Sequence, residues 1–197
     1  MSRVRSLVTA LFAALALALA GCIGQVPLAP GPSASPTFRC TSEAGGGESP
    51  CSEQQYQQMK AKDALYVEAE QVYRTYTSES IEAMRGGGAD KMPPQLRELI
   101  SNKDLEADVL ERLRQAKNDG LSLKGDPVIA WARRLPSRTR HGSVVAMHFC
   151  VDARFVTVFK HGEKLADGSV SQETVYFAKE AAVMTIDSLD FKDVTKC

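Results

Sequence analysis

Val144-Val145-Ala146-Met147-His148-Phe149-Cys150-Val151 is the stretch whose reading decides the fold. Val145, Met147, Phe149 and Val151 fall on one face of an extended chain, while His148 and Cys150 fall on the other. That period of two marks a half-buried strand. Upstream the period is that of a helix. Leu65, Ala69, Val72 and Tyr76 recur at steps of four, three and four, with Tyr66 and Tyr73 widening the stripe. A long amphipathic helix is therefore predicted over about 52–84, and Gly86-Gly87-Gly88 stops it. Met92-Pro93-Pro94 precedes a short helix carrying Leu96, Leu99 and Ile100. Asn102 reads as an N-cap, with Asp104 and Glu106 in the first turn, where the helix dipole favours negative charge. Leu105, Val109, Leu113 and Ala116 line that helix, and Gly120 closes it.

Downstream, further strands are predicted over 128–131, 155–159, 174–177 and 183–191, with Asp167-Gly168 as a turn signal. Helices first and consecutive strands afterwards give an α+β class. N-terminal helices should pack on a curved, largely antiparallel sheet.

The N-terminus carries an address. Arg3 and Arg5 precede an apolar run over 6–20, long enough for the core of a signal peptide but short for a membrane span. The run ends in Leu19-Ala20-Gly21-Cys22, which resembles the lipobox of bacterial lipoproteins. The resemblance implies cleavage before Cys22 and a diacylglyceryl group on its thiol, and two acyl chains anchor stably where one does not. The competing reading is a plain secretory signal followed by a chance cysteine. Residues 23–52 are rich in Pro, Gly and Ser and poor in large apolar side chains, the composition of a flexible tether. The expected organisation is a lipoprotein signal peptide over 1–21, a lipidated cysteine and tether over 22–52, and one domain over 53–197. The protein would sit on the extracytoplasmic side of the cell membrane, held by Cys22.

Setting Cys22 aside leaves four cysteines, an even number in a compartment that permits disulfides. Three pairings are possible. Nearness in sequence across a Gly-rich loop favours Cys40 with Cys51, which leaves Cys150 to staple the terminal Cys197 onto a core strand. No two cysteines have the C-x2-C spacing of a metal site, and His141, His148 and His161 are scattered, so neither a metal nor a cofactor is expected.

The order of elements is similar to the cone-shaped NTF2-like (SnoaL-like) domain, and more narrowly to a group of actinobacterial surface lipoproteins. Tyr73 and Tyr76 resemble the aromatic-rich opening helix of that group. Gly120-Leu121-Ser122-Leu123-Lys124-Gly125-Asp126 resembles its helix-to-strand junction, and Phe149-Cys150-Val151-Asp152 with Cys197 resembles its strand and terminal cysteines. The chain departs from the pattern at Val183-Met184-Thr185, where a tryptophan is common. The resemblance implies a pocket inside the cone, and for some members an acid–base group there.

Two functions are compatible with these features. The first, which the residues favour, is a non-catalytic surface lipoprotein that binds a small apolar molecule or an envelope protein. The second is an isomerase or cyclase of the SnoaL type, with His148 or Asp152 as the catalytic group in the cone. Against the second, His148 and Asp152 lie about 13 Å apart along an extended strand at about 3.3 Å per residue, too far for a dyad. A Cys150–His148 nucleophile pair fails as well, because neighbours two apart point side by side. Arg133-Arg134 and Arg138-Thr139-Arg140-His141 form a local basic cluster, read first as a solvated hairpin tip. The balance of 24 basic against 24 acidic side chains, without a long basic run, argues against nucleic acid as a partner.

Overall fold

Ser52 starts the first helix and three glycines end it. Ser52 Oγ accepts the Gln55 N–H at 3.2 Å while Gln55 Oε1 accepts the Ser52 N–H at 2.9 Å, a reciprocal capping box. Helix α1 (Glu53–Arg85) is followed by α2 (Pro94–Glu98) and α3 (Lys103–Asn118). Asn102 caps α3 by accepting the backbone N–H groups of Asp104 and Leu105. The computed structural model describes residues 37–197 with the exception of 141. Within them Gly88, at φ +81°, brings the end of α1 against α3, and a Cβ there would lie 2.1 Å from the Leu113 carbonyl oxygen. Only glycine tolerates that approach.

Two strands precede α1, namely β1 (Phe38–Cys40) and β2 (Ser49–Cys51). Seven follow the helices: β3 (Leu121–Lys124), β4 (Val128–Arg134), β5 (Val145–Asp152), β6 (Thr157–Lys160), β7 (Glu163–Asp167), β8 (Val170–Glu180) and β9 (Val183–Val194). They form a β1-β2 hairpin, a three-stranded sheet in the order β3-β6-β7 and a four-stranded sheet in the order β4-β5-β8-β9. Every pairing within these sheets is antiparallel. The fold is α+β, with open, curved sheets and not a closed barrel.

The four-stranded sheet carries the helices on one face. Val145, Met147, Phe149 and Val151 of β5 turn toward them together with Val175 and Phe177 of β8, as the alternation predicts. The helix stripe is rotated slightly from its sequence reading. Tyr66, Ala69, Tyr73 and Tyr76 are the buried residues of α1, whereas Leu65 and Val72 are only partly covered. The Tyr73 and Phe149 rings stack with centroids 3.8 Å apart at an interplanar angle of 20°. Both side chains are fully buried, and each such burial stabilises by roughly 1.5–3 kcal/mol.

Residues 38–51 correct the expected tether. They form the β1-β2 hairpin, closed by the Cys40–Cys51 disulfide, and they pack on α1. The Phe38 ring lies 5.2 Å from that of Tyr56, the Thr41 N–H donates to Met59 Sδ at 3.2 Å, and the Tyr66 hydroxyl donates to Glu43. Two three-residue strands, one of them containing Pro50, are too short to show a period, so composition alone read as a linker. The compact unit accordingly begins near Pro36 and not at 53. At the other end Cys197 is bonded to Cys150 with 5.7 Å between their Cα atoms, as the favoured pairing has it.

Candidate functional site

Alternation along β8 sets the floor of the site. Val175 and Phe177 face the helices, so Glu173 and Ser171, two and four residues earlier than Val175, face them too. Glu173 pairs in register with Phe149 on one side and Phe191 on the other, which places a carboxylate in an otherwise apolar row. Two hydroxyls hold it. Tyr73 Oη donates to Glu173 Oε2 at 2.8 Å, and Ser171 Oγ donates to Glu173 Oε1 at 3.0 Å. Burial pushes the Tyr73 phenol well above its ordinary pKa, and the nearby negative charge of Glu173 adds to the effect. Tyr73 therefore stays protonated and acts as a donor.

Above this floor lies a cleft of about 270 Å³ between α1 and the sheet. Tyr76, Thr77, Ser80 and Ile81 of α1 form one wall, and Pro127, Val151, Leu189 and Phe191 form the other. Ser80 Oγ is buried there without a partner in hydrogen-bond geometry. Arg112 of α3 also lines the cleft, and its Nε donates to the Asp108 carbonyl at 3.3 Å. Burial raises the pKa of Tyr76, and the Arg112 cation opposes the rise. A smaller hollow of about 190 Å³ continues between Tyr76, Ser80 and Arg112 toward Leu113. A wider hollow of about 590 Å³ lies between the hairpin and the first turns of α1. It is open, and Glu43 on its wall is bonded to Tyr66 with Lys62 3.7 Å away.

His148 and Asp152, the groups of the alternative enzyme reading, do not line this cleft. His148 and Asp152 belong to the face of β5 that turns away from the helices, in register with Thr174 and Val170. His148 meets the Trp131 ring edge-on at 5.2 Å. Burial lowers its pKa, and the cations of Arg133 and Arg138 lower it further. Asp152 is held by Arg154, whose Nη2 donates to it at 2.6 Å, and those hydrogen bonds bring its pKa down to about 2. A carboxylate so stabilised is a poor base at neutral pH. Cys150, on the same face, is consumed by its disulfide. This is the face that the period of two gives His148 and Cys150, opposite the core row of Val145, Met147, Phe149 and Val151.

His161 sits at the β6-β7 turn, where its N–H donates to the Gly120 carbonyl at 2.8 Å, and His141 lies outside the described residues. Among the described residues no three His, Cys, Asp or Glu side chains gather as metal ligands. The basic cluster is tied into the fold rather than solvated throughout. Arg134 pairs with Asp63 on α1, Arg140 pairs with Asp190 on β9 at 2.7 Å, and Arg133 lies over the Trp131 ring at 4.4 Å. Cys22 and the segment before it lie outside the described residues. Among the described residues no helix is long and apolar enough to cross a membrane.

Glu173 went unread in the sequence because its strand was begun one residue later, at Thr174. Extending the alternation of Val175 and Phe177 backwards by two would have found it.

No protein-family model matches this sequence, and no curated protein matches it. Among solved structures, the intermembrane space region of the chloroplast protein ARC6 is similar at a TM-score of 0.43 and 11% identity, over 64% of this chain and 95% of that one. The yeast UBP3-associated protein BRE5 is similar at a TM-score of 0.30 and 11% identity, with the same coverage.

Proposed function

We propose that this chain is a lipid-anchored envelope protein, held outside the membrane by Cys22, whose folded domain is a non-catalytic binding module with its ligand cleft between α1 and the four-stranded sheet. The observation that carries the reading is the cysteine arrangement. The chain has five cysteines, and the four among the described residues are joined in two disulfides, the state of an oxidising compartment. The fifth is Cys22, which stands directly after Leu19-Ala20-Gly21.

The distances are compatible with this placement. The hairpin begins at Phe38, so 15 residues separate Cys22 from it. As a coil they would span about 20 Å, enough to hold the domain clear of the headgroups. An isomerase or cyclase working through His148 or Asp152 would need those groups in the cleft, and they occupy the other face of the sheet.

Growth of producing cells with radiolabelled palmitate tests the anchor. The wild-type chain should take up label in a form that hydrophobic extraction retains, and Cys22→Ala should take up none. Equal labelling of the two would overturn the assignment.

A further inference from the structure

We infer that the cleft, on the reading of this chain as a binding module, takes a small monoamine with an apolar or aromatic body, its ammonium group seated on Glu173. The inference starts from an imbalance of charge and hydrogen bonds. A carboxylate offers about four acceptor positions. Tyr73 and Ser171 fill two of those on Glu173, both with neutral hydroxyls. Among the described residues no Lys, Arg or His comes within ion-pair distance of it, although twelve such pairs form elsewhere. Arg112 also lines the cleft but makes no ion pair with Glu173, and the other cations on nearby elements are engaged. Arg74 pairs with Glu70, Lys179 with Glu68, and Arg85 with Glu82 and Asp126. Glu173 is only partly buried among Phe149, Val151, Leu189 and Phe191, so a ligand entering the cleft can reach it and supply the cation that its own hydrogen-bond partners do not.

The rest of the cleft defines the body attached to that cation. Leu189, Pro127 and Tyr76 give apolar walls, and Phe191, directly across the β8-β9 ladder from Glu173, is 64% exposed. An exposed aromatic beside a carboxylate suits an ammonium, which an aromatic face attracts within about 6 Å. A volume of about 270 Å³ corresponds to about nine waters at the liquid share of about 30 Å³ each, which is the scale of a phenylethylamine. Arg112, which also lines the cleft, disfavours a second positive charge there, so a monoamine is preferred over a diamine of the same length.

The test uses the full chain in nanodiscs of neutral lipid, with equilibrium dialysis against radiolabelled 2-phenylethylamine and empty discs as the blank. Saturable binding is expected. Unlabelled 2-phenylethylamine should displace the label, whereas 2-phenylethanol, 3-phenylpropionate and 1,4-diaminobutane should not. Glu173→Gln, which keeps the shape and the hydroxyl partners, should weaken binding at least about tenfold, the scale of a hydrogen bond to a charged group. Leu189→Trp, which fills the cleft, should abolish it. Absence of saturable binding, displacement by the alcohol as effective as by the amine, or unchanged affinity in Glu173→Gln would each overturn the inference. Palmitate labelling of the same preparations separates the two claims: label without amine binding removes the ligand and leaves the anchored module, and amine binding without label removes the anchor and leaves the ligand.

Discussion

Removing the Cys150–Cys197 disulfide should destabilise the fold more than removing Cys40–Cys51, and the structure sets the size of the difference. The first bond closes a separation of 47 residues and the second a separation of 11. In the chain-entropy model these loops correspond to about 4 and about 3 kcal/mol of stability at 25 °C. The two bonds also differ in what they hold. Cys150 is fully buried in β5, an interior strand of the four-stranded sheet, and Cys197 lies three residues beyond the end of β9, so the bond ties the chain after β9 to the centre of the sheet. Cys40–Cys51 closes a hairpin that rests on one side of α1. The hairpin can lift from α1 without opening the core, and most of its contribution then belongs to local opening and not to global unfolding. For a domain of this size about 1 kcal/mol shifts Tm by roughly 2–4 °C, so Cys150→Ala/Cys197→Ala should lower Tm by roughly 8–16 °C. Cys40→Ala/Cys51→Ala should lower it by less than half as much while exposing the loop at Gly45-Gly46-Gly47 to proteolysis. Differential scanning calorimetry of the two double variants, alongside limited proteolysis, reads both effects. Equal losses of Tm, or a larger loss from the hairpin pair, would refute the reasoning.

Three further outcomes follow from particular contacts. Phe149→Ala removes a fully buried ring stacked on Tyr73 and should cost about 4 kcal/mol in chemical denaturation, with the near-ultraviolet tyrosine signal altered. Gly88→Ala forces a Cβ against the Leu113 carbonyl at positive φ and should cost more than about 1 kcal/mol, whereas Gly47→Ala, with open space around it, should change stability by less than about 0.5 kcal/mol. Asp152 should titrate near pH 2 in a carboxyl NMR experiment, and Arg154→Gln should return the midpoint toward the ordinary 3.8. Because the folded pKa is the lower one, the stability that Asp152 contributes is present above about pH 4 and disappears as pH falls toward 2. Titration of Asp152 at its ordinary value in the wild type would contradict the pairing.

What the sequence disclosed and what it hid divide along physical lines. Elements with a long period were legible: the start of α1 at Ser52, its glycine stop, the Asn102 cap and the face of β5 that meets the helices all follow from local rules of capping and alternation. Among the strands of three to five residues only β6 was, through the run over 155–159; β1, β2, β3 and β7 were not. The β1-β2 hairpin carries no measurable period, and β7 has every residue exposed, so nothing in its hydropathy separates it from a loop. The site was hidden for a different reason. Glu173 gains its meaning from Tyr73, one hundred residues earlier, and only the packing of α1 on the sheet brings the two together. His148 and Asp152 drew attention as residue types, yet the same alternation that identified their strand assigns them to the face away from the cleft.

The central claim is that this is a binding module fastened to a membrane by Cys22, and the mature N-terminus tests it most directly. Intact-mass and peptide mass spectrometry of the chain purified from its own membrane fraction should find the first residue to be Cys22, carrying the mass of a diacylglyceryl group. A mature chain that begins at another residue, or one in which Cys22 remains an unmodified thiol, would contradict the account.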